Sequence, residues 1–226
     1  MRLKNLLLWD MKFQARYGFY LLYGILTSFY AVLLLSLPQS WKENAAVLLI
    51  YSDPAAMGLF FMGAILLLEK SQRVTSLFAV SPICAWEYVC SKVLSLSLIS
   101  MFVAAALAAV ANHSSLFSVL AGTFLSGIVF TLSGIIIATK ITSLNQFILA
   151  TIPVEIIAFL PAILHLFHIT PGFLRFYPGN LCMDLIAGRS FSVMGLMFTT
   201  VLIVMLFWGT YRCVCKMWQT AGGVKL

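Results

Sequence analysis

Residues 93–139 read VLSLSLISMFVAAALAAVANHSSLFSVLAGTFLSGIVFTLSGIIIAT and contain no Asp, Glu, Lys or Arg. A transmembrane helix needs about 20 mostly apolar residues to cross a bilayer core of about 30 Å. The stretch is long enough for two such helices, and its polar break near 112–115 supplies a short connecting loop. The sequence therefore predicts a pair of membrane-spanning helices here.

The composition extends this interpretation to the whole chain of 226 residues. Apolar residues make up 62% of it and charged residues only 9%, whereas a soluble domain has about 25% charged residues. Because so few polar side chains cannot cover a water-facing surface, the soluble globular classes are excluded. The formal charge of +7 is then a signal of membrane topology rather than of nucleic-acid binding.

Four further apolar runs flank the first pair. Backbone groups cannot stay unpaired in hydrocarbon, so each run is predicted to be a helix. We therefore expect an all-α membrane protein with one six-span domain, 16–226, and a lead-in helix over 1–15. The six predicted spans are roughly 17–37, 47–68, 93–111, 116–139, 146–167 and 191–211.

The positions of Lys and Arg predict the orientation in the membrane. Cytoplasmic loops carry an excess of these residues, and six spans place both termini on one side. With cytoplasmic termini, eleven of the fourteen basic residues lie inside, and the three outside are Lys42, Arg175 and Arg189. We predict a multi-pass protein of the plasma membrane with both termini cytoplasmic.

The lead-in segment, MRLKNLLLWDMKFQA, mixes apolar and basic side chains. This composition is typical of a helix that lies in the membrane interface with its cationic side chains extended toward the headgroups. Asp10 interrupts the pattern, because it falls on the apolar side of the helical wheel. The alternative is a frayed approach to the first span.

The longest cytoplasmic loop, 69–92, is also predicted to contain helix. Apolar residues at i, i+3 and i+4 indicate a short amphipathic helix over about 71–80. Ser81 and Pro82 then resemble an N-cap and a first helical residue, which predicts that the next helix starts there. A short helix held at the membrane surface is well placed to receive force from a cytoplasmic partner. The apolar positions are Val74, Leu77 and Phe78.

The longest outer segment, about 165–190, contains two Pro-Gly turns. The apolar pieces 173–177 and 181–186 are too short to span the membrane and too apolar for water. We predict that they form small re-entrant helices in the outer half of the membrane, with their backbone buried against protein. The residues expected to close the outer end of a pathway are Phe173, Tyr177 and Leu181.

Two acidic residues fall at membrane depth, where charged groups are costly and usually functional. Glu155 lies near the centre of the fifth span, between Pro153 and Pro161, which free backbone carbonyls and suit a cavity-lining helix. Asp53 precedes Pro54 in the second span. Both acids are candidates for a substrate pathway. The alternatives are a protonated or hydrogen-bonded acid between helices for Glu155, and a helix N-cap for Asp53.

Motifs for nucleotide binding or catalysis are missing from the sequence. It contains no G-x-x-x-x-G-K-[ST], H-E-x-x-H or G-x-S-x-G. His165 and His168 could share a helical face but have no third ligand, and the five cysteines lack zinc-site spacing. We expect no catalytic residue, metal site or cofactor on this chain.

The arrangement resembles the membrane subunit of an ABC-2 type transporter (a type V exporter) over essentially the whole chain. The first inner loop carries the most specific resemblance, although Val74-Thr75 replaces the usual glycine-threonine. Within that superfamily the chain is similar to small drug-export permeases, including fluoroquinolone-type permeases. The matching positions are Glu69-Lys70, Leu77, Ser81-Pro82, Glu87-Tyr88 and Ser91-Lys92.

The resemblance implies a transport subunit rather than an enzyme. The permease would form a homodimer or pair with a sister permease, and each copy would dock a separate ABC ATP-binding subunit carrying ATP and Mg²⁺. ATP-driven closure would reshape a cavity between the permeases and expel an amphipathic small molecule, drug, lipid or peptide. Membrane lipid is an expected contact and nucleic acid is not. The implied coupling residues are Arg73, Val74, Leu77 and Phe78.

Other classes remain open on the residues alone. A proton-coupled secondary transporter could use Glu155 and Asp53 as relays, although no convincing internal repeat is found. A haem-exporter-type permease or a purely structural subunit is also compatible with six spans. An intramembrane enzyme would need Glu155 to act with a histidine, and nothing in the sequence fixes that geometry.

Overall fold

The computed structural model describes residues 2–112 and 115–221, apart from the side chains of Ala55, Ala56, Phe173 and Ala221. Within these ranges the regular structure is entirely helical. A π-helix, Ala56–Phe61, joins α3 to α4, and a 3₁₀ turn, Gly172–Leu174, precedes α9. The α-helices are α1 (Arg2–Arg16), α2 (Phe19–Ser36), α3 (Gln39–Ala55), α4 (Met62–Ser71), α5 (Val74–Val80), α6 (Ala85–Val110), α7 (Leu116–Lys140), α8 (Leu144–Leu166), α9 (Pro178–Ile186) and α10 (Val193–Ala221).

Six stretches of helix are long and apolar enough to cross a membrane, which confirms the predicted all-helical, six-span fold. The largest differences from the predicted bounds are at the starts of the second and third spans, at residues 39 and 85 rather than near 47 and 93, and at the end of the last span, at residue 220 rather than near 211. The spans are Phe19–Ser36, Gln39–Ser71, Ala85–Val110, Leu116–Lys140, Leu144–Leu166 and Val193–Thr220.

Helix α7 lies at the centre of the bundle and packs against α3, α6, α9 and α10. Glycines allow its neighbours to approach closely. A Cβ on Gly134 would lie 2.7 Å from the carbonyl oxygen of Gly58, and a Cβ on Gly122 would lie 2.8 Å from that of Cys182. Because van der Waals packing is the main force between helices in lipid, these approaches stabilise the bundle.

The second span is distorted near its middle. Pro54 lies inside α3, where it has no N–H to donate and its ring crowds the carbonyl one turn earlier. The six-residue π-helix follows almost at once. The helix does not restart at Pro54, and neither carboxylate oxygen of Asp53 has a hydrogen-bond partner among the described residues. The N-cap interpretation of Asp53 is therefore wrong.

The lead-in is a continuous helix, so the frayed alternative is wrong. Leu6, Asp10, Phe13 and Gln14 are the buried residues of α1, and their spacing of three and four residues places them on one face. This face packs mainly against α6, and more weakly against α2. Asp10 therefore belongs to the buried face of the helix, where its partner explains its position (below).

The start of the third span also differs from the prediction. Helix α6 begins at Ala85, and the Glu87 carboxylate accepts a hydrogen bond of 3.0 Å from the backbone N–H of Cys84. Ser81 instead ends α5, where its hydroxyl donates to the carbonyl of Phe78 at 2.9 Å. The predicted N-cap at Ser81-Pro82 is therefore wrong. The N-cap is Cys84, three residues after Ser81, and the Glu87 side chain completes the cap.

The outer segment contains one α-helix and one short 3₁₀ turn. The predicted piece 181–186 lies within α9, which begins with Pro178 at its first turn. The piece 173–177 contains only the end of the 3₁₀ turn. Because α9 packs against α3, α7, α8 and α10, its apolar residues are buried inside the bundle.

The close contact of α7 with the π-helix gives a stability prediction. Gly134→Ala should lower the thermal unfolding temperature of the detergent-purified protein, because overpacking costs about 1–3 kcal/mol. Gly209→Ala is the matched control in α10, since its Cβ would meet only Ile136 Cδ1 at 3.8 Å. Alanine is also the better helix former, so the control should keep or raise the unfolding temperature. Equal temperatures for the two variants would contradict the packing argument.

Candidate functional site: a buried charge cluster beneath a groove between two helices

Three charged side chains from different helices meet inside the protein. Lys92 of α6 forms ion pairs with Asp10 of α1, at 2.6 Å, and with Glu69 of α4. The side chains of Lys92, Asp10 and Glu69 are only 1%, 3% and 0% exposed. We call these three residues the charge cluster. It joins the lead-in helix to the ends of the second and third spans.

Hydroxyl groups complete the charge cluster. The Tyr88 hydroxyl donates to Glu69 at 2.6 Å, and the Ser91 hydroxyl donates to Asp10 at 2.5 Å. The Lys92 ammonium also lies 5.2 Å from the centre of the Tyr88 ring and 5.5 Å from that of Trp9. Each carboxylate therefore has two donors, and the cation is further stabilised by aromatic faces.

The charge cluster has a clear energetic consequence. Taking each ion out of water costs several kcal/mol, and only good geometry with every group paired offsets this. Two carboxylates share one ammonium, so removal of Lys92 would leave two like charges buried together. The cluster thus fixes the position of α1 relative to α4 and α6. It also explains why an acid occupies the apolar side of the lead-in helix.

The next residue, Lys70, holds a different helix. Its ammonium donates to the carbonyls of Ala138, Thr139 and Ile141 at 2.6, 3.0 and 2.9 Å. The last carbonyls of a helix lack internal partners and carry partial negative charge. Lys70 therefore caps the end of α7. Adjacent residues on α4, Glu69 and Lys70, tie the second span to the charge cluster and to the central helix.

Aromatic contacts hold α5 against the helices that form the charge cluster. The Phe78 ring lies 6.0 Å from that of Trp9, 5.4 Å from that of Tyr88 and 6.1 Å from that of Trp218, measured between centroids. Trp218 comes from the end of α10. Phe78 is thus an inward anchor that links the short helix to the lead-in, the third span and the last span.

The opposite side of α5 is open. Leu77 is 64% exposed and Val80 is 81% exposed, and Arg73 is exposed at the start of the helix. Between α1 and α5 lies a groove of about 430 Å³, which we call the coupling groove. Of the four predicted coupling residues, Val74, Leu77 and Phe78 line the groove, as do Arg2 and Trp9. Arg73 lies on the surface beside it.

The two membrane-depth acids lie on different helices. Asp53 of α3 is fully buried. Glu155 of α8 is half-buried and forms no ion pair with any described residue. The helix face around Glu155 is apolar and exposed, with Ile152, Ile156 and Leu160 between 44% and 56% accessible. Glu155 therefore interrupts a surface that lipid or a second permease would cover.

Three side-chain hydrogen bonds connect the outer segment to α8. The Tyr177 hydroxyl donates to the carbonyl of Ile157 at 2.8 Å. That carbonyl lacks its normal helical partner because the residue four positions on is Pro161. His165 lies between the Thr170 hydroxyl and the Asp184 carboxylate, each at 2.9 Å.

The other outer residues have separate roles. Leu181 is 3% exposed and packs inside the bundle, and the side chain of Phe173 lies outside the described residues. His168 has a left-handed backbone, with φ of 60°. No His, Cys, Asp and Glu residues within 2–112 and 115–221 form a group that could hold a metal ion.

The charge cluster is not apparent from the sequence. Glu69 and Lys92 lie at the two ends of the inner loop, and Asp10 lies about sixty residues before Glu69 in the chain. The signal that points to it is the acid on the apolar face of the lead-in helix, since such an acid requires a buried cation.

These features occur in a chain that matches a known family along nearly its whole length. The fluoroquinolones export permease protein family matches residues 1–223. The chain belongs to this family. The match extends from the lead-in helix through the last span, and it confirms the resemblance to small drug-export permeases. A family of export permeases also agrees with a transport subunit rather than an enzyme.

Two relatives carry the family's name. They are fluoroquinolones export permease proteins of Mycobacterium tuberculosis, from strains CDC 1551 and H37Rv. Each is 28% identical to this chain over 141 residues. The matched region covers 62% of this chain and 60% of each relative.

Removal of the central cation tests the charge cluster. Lys92→Met should destabilise the protein by about 3–5 kcal/mol, because it leaves two unpaired buried carboxylates. The triple variant with Asp10→Asn and Glu69→Gln should recover part of this loss. Lys4→Met, at an exposed position of α1, is the control. Thermal unfolding in detergent measures all three, and a Lys92→Met protein as stable as the control would contradict the role of the cluster.

Proposed function

We propose that this chain is the membrane subunit of an ATP-driven exporter in the plasma membrane, with both termini cytoplasmic. The observation that carries the proposal is the coupling groove. It exposes apolar side chains in a part of the protein that is braced from beneath by the charge cluster. Family membership supports export, and a fluoroquinolone is the first substrate to test because the relatives are named for these drugs.

The partner is an ABC ATP-binding subunit that supplies ATP and Mg²⁺. Its surface would contact Leu77 and Val80 and enter the coupling groove between α1 and α5. Apolar side chains exposed outside the membrane are best stabilised by a protein partner. Arg73 adds a positive charge to this surface and favours a partner with acidic residues nearby.

Force on α5 has a continuous path into the membrane. Phe78 packs against Tyr88, and Tyr88 is hydrogen-bonded to Glu69 in the charge cluster. Glu69 and Tyr88 lie on the second and third spans, so displacement of α5 would move both. Trp218 extends the same contact to the last span. A rigid packed connection of this kind can transmit the closure of two ATPases.

A second permease, identical or sister, would complete the pathway. The spans that contain α2, α8 and α10 are mostly exposed. Only 11%, 17% and 17% of their respective apolar stretches are buried inside the protein. Glu155 lies on one of these spans, α8, and in this proposal faces a cavity between two permeases. In this proposal Asp53 is a second pathway residue, and the outer segment is re-entrant, with Phe173, Tyr177 and Leu181 closing the outer end.

The partner interaction is tested by tagged purification from native membranes with mild detergent. The wild type should recover a stoichiometric P-loop protein with ATPase activity. Combined Leu77→Asp and Val80→Asp should abolish this recovery and drug export without loss of folding, since both side chains are exposed. Phe78 is unsuitable because it anchors α5.

Gln219→Asp is the matched control, because it adds an acid at an exposed position on the same end of the molecule. It should retain the ATPase and the export activity. Absence of any P-loop protein from the wild-type preparation, or its retention by the Leu77 and Val80 variant, would count against the proposal.

A proton-coupled secondary transporter is the second candidate, since two acids at membrane depth have no cation partner among the described residues. Glu155→Gln separates the two functions in inverted membrane vesicles. Uptake that still depends on ATP supports the ATP-driven exporter. Uptake that followed the proton gradient in the wild type and ceased in Glu155→Gln would support the secondary transporter.

A further inference from the structure

A second groove lies on the membrane-facing side of the protein, between α2 and α6. It encloses about 550 Å³, and we call it the lateral groove. Met11 of α1 lies at one end. Phe102 on its wall is 77% exposed and Leu98 is 37% exposed, so the groove is open to the bilayer. The α2 side contributes Tyr20, Tyr23, Thr27 and Ser28.

The inner wall of the lateral groove carries polar groups without partners. Tyr23 is 3% exposed, and the hydroxyls of both Tyr20 and Tyr23 are buried with no hydrogen-bond partner in the described part of the chain. Buried polar groups in native proteins are nearly always paired, so such exceptions require an explanation. A ligand that accepts or donates hydrogen bonds in the groove would supply the missing partner.

Asp53 lies behind this wall. Ile50 and Met57, about one turn before and after Asp53 in the second span, belong to the same buried cluster as Tyr23 and Val103 of the groove wall. Asp53 is fully buried, and neither oxygen has a partner with hydrogen-bond geometry, although Ser100 of α6 lies beside it. A buried carboxylate in this condition is stable only if it is protonated or if a cation arrives.

The described helices around Asp53 do not provide that cation. Helix α2 contains no Lys or Arg, and Lys42 of α3 lies eleven residues, about three turns, before Asp53. Lys92 of α6 is held in the charge cluster by two carboxylates. A cationic ligand would therefore supply the charge complementary to Asp53 that the described helices lack.

We propose that the lateral groove binds an amphipathic organic cation that arrives from the bilayer. The cationic group pairs with Asp53, and the apolar body contacts Phe102 and Leu98. The rings of Tyr20 and Tyr23 stabilise the positive charge through their faces. The proposal names the substrate class of the exporter. It rests on the proposed function for the transport step, while binding itself is independent of that function.

The π-helix gives Asp53 room to reach the ligand. It begins three residues after Asp53, and π segments inside α-helices often occur at functional sites. In this proposal the π-helix lets the turn that carries Asp53 shift within the span. A small rotation of this turn, with Tyr23, would open the wall between Asp53 and the lateral groove.

Two ions of the same shape and opposite charge test the proposal. Tetraphenylphosphonium and tetraphenylborate are measured by equilibrium dialysis against the full-length protein in nanodiscs of zwitterionic lipid, with protein-free nanodiscs subtracted. The wild type should bind the cation at least tenfold more tightly than the anion. Asp53→Asn should weaken cation binding at least tenfold and leave anion binding unchanged. Glu43→Gln, an exposed acid on the same helix, is the control and should bind as the wild type does.

A steric variant provides a test that does not depend on the carboxylate. Gly24 lines the lateral groove, and a Cβ there would meet nothing within 4 Å. Gly24→Leu should therefore fill the groove, abolish cation binding and keep the unfolding temperature, because leucine favours helix. Equal affinity for the two ions would overturn the proposal, as would unchanged cation binding in both Asp53→Asn and Gly24→Leu.

The result separates this proposal from the proposed function. Cation binding with the expected pattern, in a protein that recovers no P-loop partner, supports the lateral groove and contradicts the ATP-driven exporter. Recovery of the partner without selective cation binding supports the ATP-driven exporter and contradicts cation binding in the lateral groove. Competition of phospholipid with both ions to the same extent would show a lipid site only and would overturn the cation proposal.

Discussion

The ion pairs of Lys92 with Asp10 and Glu69 are the constraint on which the end of the bundle around α1 and α5 depends. Buried charges tolerate little displacement, since each lost contact exposes the full cost of desolvation. The lead-in helix is therefore held by the protein itself and not only by the membrane surface. Helix α5 rests on this fixed base through Phe78 and Tyr88. Without the ion pairs, the coupling groove would have no defined shape.

The rest of the molecule follows the rule that backbone polar groups in a membrane need partners. Where Pro161 leaves the carbonyl of Ile157 free, Tyr177 donates to it across the outer segment. Where α7 ends, Lys70 donates to three carbonyls. Asp53 differs from the other acids of the described residues, because both of its carboxylate oxygens are buried without a hydrogen-bond partner. This is why we assign that acid to a ligand.

The spans could be predicted from the sequence because crossing a bilayer depends on local composition and length. The lead-in helix and α5 could also be predicted, since each has a periodic apolar face. The charge cluster could not, because it joins residues far apart in the chain, and its only local sign was Asp10 on the wrong face. The start of α6 was misplaced because Ser81-Pro82 and Cys84-x-x-Glu87 are competing caps. Only the fold decides that Glu87 is within reach of the Cys84 N–H.

The π-helix between α3 and α4 has a mechanical consequence. Each residue of an α-helix turns the chain by about 100° about its axis, so a change of register within Ala56–Phe61 would twist one half of the second span against the other. The half that ends at Lys70 is fixed to the central helix, and the half that carries Asp53 is not fixed by any ion pair of its own. The π-helix therefore divides the second span into two halves, and a change of its register would rotate the Asp53 half relative to the half that ends at Lys70.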